Sequence, residues 1–483
     1  MKPILPTIEL LTNREMKLIH ERSLELLESP GISIDHEGFL KALEAKGAKI
    51  DYSRRVASIP CDITHEAAKA MAGKTCLLNS DERAASEAVK AEINEMLSQP
   101  VSFGFGGASI QVLNEDGRTS RNASYADVER VVRFGNGHPR ITSVGNPLMC
   151  SYDETGREIP PKLRPKYTMT YMAKHCMKLS FNEVWNASDV DFAVRLGELV
   201  LGGPEAYRKN PIFLCVKCSI SPLRIDAQSA ETLYELAVRQ LPVGLVPMPI
   251  SGASAPVTVA SGILIANTEI LGLAAAIWAV GSESAQAHGI LGSILDMQTT
   301  IASFSSPNAV LMDAGLFQLY RHFYGRNVMA ATDYVDAKYP GYQSGSERAL
   351  KTALLASCGS FMPGIGQLKS GIICSPEQAC LDIELFDWMQ HYMRGIEVSE
   401  ESLCLDLIRQ RGIGGNFLDT DHTFDKYRNE FYMPKLADRC GSVGLDMIDA
   451  AREEVERILG VTPVFTRENE VCKAVDRVFK DSL

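Results

Sequence analysis

Whole classes of feature are missing from this 483-residue chain, and each absence removes a class of function. Clustered Lys and Arg are absent. With a formal net charge of −11 and an isoelectric point near 5.5, the chain lacks the footprint that nucleic acid or an anionic membrane surface requires. A small molecule or a protein partner is expected instead, with no nucleic acid and no membrane. No basic-then-apolar run opens the chain; residues 1–10 carry Pro3 and Pro6 and do not read as a signal peptide. The longest apolar stretch, 256–281, is interrupted by Ser261, Asn267, Thr268 and Glu269, which a bilayer centre tolerates poorly, so it reads as a buried helix. The twelve cysteines follow no disulfide framework, which suits reduced thiols in the cytoplasm. The nine histidines show neither H-x-x-x-H nor H-E-x-x-H spacing, and there is no G-x-S-x-G elbow and no Walker sequence. Cys215 and Cys218 are three apart on an expected strand and point to opposite faces, so no metal site is expected there.

What is present suits one large globular unit with end pieces, 45% hydrophobic and 23% charged. Thr12 and Glu15 form a T-x-x-E capping box ahead of Met16, Ile19, Leu24 and Leu27, which predicts an amphipathic helix. Helical patterns around 38–45 and 65–72 extend this N-terminal region, and 93–100 reads as its exit. An aromatic-glycine run, 103–107, follows. It is no dinucleotide fingerprint, because Glu115-Asp116-Gly117 then supplies the Asp-Gly pair of a tight hairpin, expected to lead into the main domain.

From there β-rich and helical runs alternate, with strands expected at 141–148, 177–182, 212–220, 243–250, 284–291, 308–313, 327–332 and 359–366, and helices including 189–201, 228–240, 256–279 and 376–394. Eight such strands close a parallel barrel. The expected fold is therefore α/β, a (β/α)₈ TIM barrel at 101–394 including the hairpin, with N-terminal (1–100) and C-terminal (395–483) helical extensions. A doubly wound open sheet fits the same alternation, because periodicity does not see closure.

Barrels of this kind work at the carboxyl ends of their strands, which here are rich in Asn, Pro, Ser and Gly. Asn146, His288 and Phe361 fall at such ends and are candidates to bind substrate; Ser251, Gly252 and Gly364 are candidates to meet a cofactor. For Pro and Gly the plain alternative is that they punctuate loops, and for His288 that it is a satisfied core histidine. The segment 333–347 is the most informative, concentrating Asp336, Lys338, Tyr339, Tyr342, Gln343 and Glu347. Acidic and aromatic groups together suit a cationic ligand, since ring faces attract an ammonium by ~0.5–2 kcal/mol. A salt-bridged surface loop has the same composition. On the ligand reading, Asp336, Tyr342, Gln343 and Glu347 are the catalytic candidates, and ring faces from Phe103, Phe105, Tyr339, Tyr342 and Phe361 could surround the cation.

Nearly the whole chain resembles the trimethylamine methyltransferase superfamily, and in particular its members without pyrrolysine that demethylate quaternary amines. The resemblance rests on the order and spacing of Ile19-His20-Glu21 with Leu24 to Leu27 and Gly31; Gly106-Gly107; Pro247-Met248-Pro249 with Gly252, Ala255-Pro256-Val257-Thr258 and Glu269; Asp336-Ala337-Lys338 with Gln343, Gly345 and Glu347; Asp382 with Glu384; Arg394-Gly395-Ile396; Gly414-Gly415 with Phe417-Leu418; and His422-Thr423. It implies a barrel enzyme that transfers a methyl group from a quaternary ammonium, such as glycine betaine, proline betaine, carnitine or γ-butyrobetaine, to the Co(I) of a corrinoid protein. Founding members carry pyrrolysine, proposed to engage a tertiary amine, whereas this chain has only the twenty standard residues. The chain has no D-x-H-x-x-G sequence, so the cobalamin is expected on a partner protein; a homo-oligomer is possible.

The chemistry of the residues agrees. A methyl on a quaternary nitrogen already has a neutral amine as leaving group, so neither a general acid nor a Lewis-acid metal is required, and the chain's part is a desolvated pocket that aligns the methyl group. Two other classes stay open: a barrel lyase or hydrolase using Asp336, Lys338 or His288 as acid and base, and a non-catalytic scaffold of a methyltransferase complex.

Overall fold

The computed structural model describes residues 8–72, 101–180, 184–209, 212, 215–287, 289–324, 329–330, 334–358, 364–439 and 444–483. Parallel strands run through its centre in two arcs. In the first, Phe103–Gly106 pairs with Ile141–Gly145. Gly104 bridges Gly364 on one side and Val144 bridges Leu179 on the other. In the second, Cys215–Cys218, Val243–Val246 and Ala285–Ala287 lie side by side, and Gly289–Ile290 continues to Met329–Ala330. Within each arc, neighbours in space are neighbours in sequence, apart from the pairing of 364 back to 104. That is the order of a parallel α/β barrel. Residues next to the two gaps, at 181–183, 210–211, 213–214, 331–333 and 359–363, lie outside the described set.

Two of the strand expectations fail here. The expected strand 308–313 is the start of the helix Pro307–Tyr324, buried on almost every side by residues such as Ala309, Val310, Met312, Leu316, Phe317 and Tyr320. A helix that is apolar all round shows no 3.6-residue stripe, so its opening read as a buried strand. The lost strand is replaced by Phe103–Gly106, which the sequence assigned only to the approach to the hairpin. The hairpin itself is there: Gln111–Leu113 pairs with Ser120–Asn122, and Asp116 Oδ1 accepts the N–H groups of Arg118 and Thr119, both at 2.9 Å. The expected strand 141–148 stops at Gly145, because Asn146 turns to φ +47° ahead of Pro147. The expected N-terminal exit at 93–100 lies outside the described residues.

Thr12 caps Asn13–Glu28 through the predicted box with Glu15. Between the N-terminal helices lies a small sheet that the sequence did not announce: Ile32–Ile34 pairs with Val56–Ser58 and, in parallel, with Arg224–Ile225. Its strands are three residues long or fewer, too short to alternate visibly. These elements pack on Val259–Ala279, and Gly272 is what permits the approach, since a Cβ there would lie 2.8 Å from Ile32 Cδ1. Leu27, Ile32, Phe39, Ile270 and Leu271 accordingly share one core. Val259–Ala279 is the described helix long and apolar enough to cross a membrane, and most of it is buried in the protein. Its polar groups are satisfied there: Asn267 Nδ2 donates to Ser23 Oγ (2.8 Å), and Tyr324 Oη donates to Asn267 Oδ1 (2.7 Å). Glu269 Oε1 accepts the Leu223 N–H at 2.8 Å. A second core joins the first arc to the C-terminal region, with Phe103, Phe105, Phe134 and Phe386 against Val455 and Ile458.

Candidate active site at the strand ends

Val246 and Cys218 are register partners at the carboxyl ends of adjacent parallel strands. Around them gathers a small apolar cluster, separate from the two main cores: Val246, Leu291 and Phe304 are buried, and Val216, Cys218, Met248, Ala302 and Tyr334 pack against them. The rings of Phe304 and Tyr334 meet with centroids 5.8 Å apart and planes tilted by 57°. An aromatic pair over the carboxyl ends of parallel strands stands where such folds bind ligands.

What holds the pair is the segment that the sequence singled out. Asp336 accepts from Ser303 Oγ on one oxygen and from the Phe304 N–H on the other (2.9 Å). Glu347 Oε2 accepts the N–H groups of Asp336 (2.9 Å) and Ala337 (3.0 Å), and its Oε1 accepts from Gln343 Nε2 (2.7 Å). Lys351, fully buried, donates to the carbonyls of Phe304 (3.0 Å) and Tyr334 (3.4 Å) and pairs with Asp313 Oδ2 at 3.2 Å. Burial pushes the Asp313 carboxyl up to about 6, against the opposing pull of Lys351 and of the Gly292 N–H. One turn earlier on the same helix, buried Arg348 faces buried Asp382 at 3.2 Å, and Asp382 also accepts the Gly366 N–H at 2.8 Å. Burial raises the Asp382 carboxyl, Arg348 opposing. The backbone of 334–337 alternates: Val335 and Ala337 bury against Leu368 and Ile373, while Tyr334 packs on the strand-end cluster and Asp336 bonds to 303–304.

The sequence-predicted residues therefore separate. Asp336, Gln343 and Glu347 come together, yet every carboxylate oxygen of the two acids already accepts a hydrogen bond, so they position the loop. Lys338 is exposed, and Tyr342, 94% exposed, stands in solvent. Tyr339 is occupied from within, the Arg118 guanidinium lying 5.9 Å from its ring centroid. Phe103 and Phe105 are buried: Phe103 packs edge-on against Phe386 and Phe105 against Phe134, in the layer between strands and helices. Ser251 is buried with an unpartnered Oγ; a Cβ at Gly262 would lie 2.8 Å from it, which puts it under Val259–Ala279. Gly252 sits in a turn at φ +92°, and Gly364 is in the ladder opposite Gly104. His288 and Phe361 lie outside the described residues.

Asn146 is the predicted residue whose surroundings point most directly to a ligand. It is 1% exposed, held in left-handed backbone at the end of its strand, and neither Nδ2 nor Oδ1 has a hydrogen-bond partner. A carboxamide buried in this state forgoes ~1–3 kcal/mol per unmet group. Backbone strain at a strand end is a further mark of a working residue. Phe304 and Tyr334 are what sequence reasoning missed. Phe304 lies in an irregular Ser-Phe-Ser-Ser segment with no periodicity, and the single available signal was an aromatic flanked by hydroxyls between a strand and a helix.

Comparison with known proteins gives this geometry a family. A trimethylamine methyltransferase, MttB, of Desulfitobacterium hafniense (strain DSM 10664 / DCB-2) is 27% identical over 340 residues, 70% of this chain and 66% of that one. Another MttB, of Methanosarcina barkeri, is 31% identical over 293 residues, 58% of this chain and 59% of the relative. A glycine betaine methyltransferase of Desulfitobacterium hafniense (strain Y51) is 24% identical over 338 residues, 70% of this chain and 69% of the relative. The matched segments thus span about three-fifths to two-thirds of these relatives. The family described as "Trimethylamine methyltransferase (MTTB)" matches residues 1–442, and the chain belongs to it.

Proposed function

We propose that this chain, working as a closed (β/α)₈ barrel in the cytoplasm, transfers a methyl group from a quaternary amine of the betaine class to the Co(I) of a separate corrinoid protein. The observation that carries the reading is the Phe304–Tyr334 ring pair at the carboxyl ends of the second arc. Ring faces attract a cation without needing a hydrogen-bond donor on it, which a quaternary head does not have. Family membership supports methyl transfer, and the relative named for glycine betaine supports the substrate class. The chain's composition of standard residues adds to this, because pyrrolysine is the group proposed to engage tertiary amines.

The corrinoid, brought as a substrate on its own protein, supplies the nucleophile that takes the methyl group, and the nitrogen departs with its electron pair as a neutral tertiary amine. The residues present suit such a visitor. Asn146, with a donor and an acceptor unmet, matches either a betaine carboxylate or the amide side chains of a corrin. Phe304 and Tyr334 exclude water from the methyl-bearing head, and Asp336, Glu347 and Lys351 fix the loops that carry those rings. In-line placement of this kind can supply several kcal/mol of a barrier. The acid–base alternative has less support, because Asp336 has both oxygens engaged.

The test is corrinoid methylation with glycine betaine, proline betaine, carnitine, γ-butyrobetaine, dimethylglycine and trimethylamine in parallel. One of the four quaternary donors is expected to be fastest. If trimethylamine or dimethylglycine leads, the leaving-group argument is wrong for this protein.

A further inference from the structure

Two short helices meet at Cys404, which ends Glu400–Leu403 and opens Leu405–Arg411 in left-handed backbone at φ +50°. A residue with a Cβ enters that region at a cost, and such positions gather at working sites. A third helix, Asp421–Glu430, brings His422 to the junction, with Nε2 3.1 Å from Cys404 Sγ. One turn further along it, Lys426 donates to Glu401 Oε1 at 2.7 Å. The Lys426 ammonium is held above its ordinary value chiefly by Glu401, and the Cys404 sulfur and Glu430 act in the same direction. His422 in turn adds to the hold of Lys426 on the Glu401 carboxyl, which lies below its usual range. Thiol, imidazole, ammonium and carboxylate thus share one field. The sulfur is partly exposed and the imidazole fully so, which leaves the pair open to a reagent from solution.

Other cysteines are placed differently. Burial pushes the thiols of Cys150 and Cys358 up to about 11 and that of Cys176 up to about 12, and those of Cys374 and Cys380 rise further. Cys61 Sγ also lies near an imidazole, 3.6 Å from His65 Nδ1, but burial, Glu28 and Asp62 push its thiol up. Cys472 is partly exposed, and it donates to the Arg467 carbonyl at 3.4 Å rather than to a base.

We propose that Cys404 is a site of reversible covalent modification by small disulfides, with His422 as its base. The thiolate is the nucleophile in thiol–disulfide exchange, and a base within hydrogen-bond reach supplies it. His422 Nε2 takes the thiol proton, and the sulfur attacks one sulfur of the incoming disulfide. A new S–S bond forms as the old one breaks, and the departing thiolate takes the proton back from the imidazolium. The disulfide is itself the oxidant: one half leaves as a thiol and the other stays on Cys404. This chemistry is separate from methyl transfer and does not rest on the function proposed above.

In the experiment the full chain, reduced and then freed of reductant, meets oxidised glutathione, and peptide mass mapping follows each cysteine with time. At about pH 7, Cys404 is expected to take up glutathione about tenfold faster than Cys61 or Cys472. His422→Gln should slow Cys404 to the pace of Cys472 while leaving Cys472 itself unchanged, the sign of an intact fold. At about pH 10, where an ordinary thiol ionises unaided, wild type and His422→Gln should converge. Cys404→Ser should remove the fast step, and added reductant should return the wild type to its starting mass. A Cys404 that reacts no faster than Cys472 at about pH 7 overturns the proposal. So does a His422→Gln protein that keeps the wild-type rate, or one that stays slow at about pH 10, since the imidazole would then shape access to the sulfur and take no proton.

Discussion

Replacing Asp336 separates a positioning role from a catalytic one. Asp336→Ala removes the acceptor of two hydrogen bonds, from Ser303 Oγ and the Phe304 N–H, and leaves that amide facing a methyl group. Hydrogen bonds to a charged group are worth ~1.5–3 kcal/mol each. The carboxylate is only half-buried, which favours the low end and gives about 3 kcal/mol for the pair. Asp336→Asn keeps an oxygen for the Phe304 N–H, loses the charge, and should lose about half as much. Urea titration of the two variants should therefore rank wild type above Asn above Ala. Corrinoid methylation should follow the same order, mainly through KM, with Ala raising it about tenfold for ~1.4 kcal/mol of lost ring placement. If Asp336 instead moved a proton, both variants would be equally inactive at wild-type stability. That pattern would refute the positioning argument.

Phe304→Ala and Tyr334→Ala should each raise KM for the quaternary donor severalfold to about thirtyfold, matching ~1–2 kcal/mol of cation–π contact per ring, while solvent-facing Tyr342→Ala leaves the rate unchanged. Equal effects in all three would move the site. Lys351→Met abandons Asp313 in a fully buried site and should destabilise by ~3–5 kcal/mol in denaturant titration, a loss that adding Asp313→Asn should partly restore. The Asp313 carboxyl, raised from an ordinary 3.8 to about 6, keeps in the folded state a proton that the unfolded chain has given up. Its contribution is therefore fully present below about pH 4, is lost as pH rises through 6, and is level above. Asp313→Asn should remove that slope, on the order of 3 kcal/mol; an unchanged slope would show that the carboxyl titrates normally.

Local chemistry was legible in the sequence wherever one side chain settles one bond. The Thr12–Glu15 box and the Asp116 turn are of this kind, as are the ends of the helices Ser188–Leu201 and Pro376–Met393, each within a residue of its expected start and finish. Burial on all sides erased the signal elsewhere. Residues 308–313 read as a strand because Pro307–Tyr324 has no polar face, while Phe103–Gly106 was passed over because alternate glycines broke its apolar run. For the candidate site, the sequence singled out the 333–347 loop for its acids, and the structure shows those acids bonded to the chain's own amides and hydroxyls. Clustered acids at 336 and 347 announce that charge is needed there, but composition does not say whether a ligand or the chain's own amides receive it. Asn146 was legible as Asn-Pro after a strand, whereas its unmet carboxamide is a matter of packing alone.

The proposed reaction would account for rings standing in front and carboxylates behind. On methyl transfer the nitrogen goes from a full positive charge to neutrality, so its charge is already declining in the transition state. A free carboxylate against the head would hold the ground state more tightly than the transition state, and such binding deepens the well without speeding the step. A ring face attracts the cation more weakly and releases it at less loss, while carboxylates whose oxygens accept backbone and hydroxyl donors, as at Asp336 and Glu347, present a diminished field to the front. This ordering can be inverted. Tyr334→Glu would put an anion among Val246, Phe304 and Leu291, where it has the ligand's cation to pair with. The variant should bind a quaternary amine more tightly and turn it over more slowly, with KM and kcat falling together, severalfold each. A variant that binds tighter and transfers at the wild-type rate or faster would show that the nitrogen's charge is still intact at the barrier.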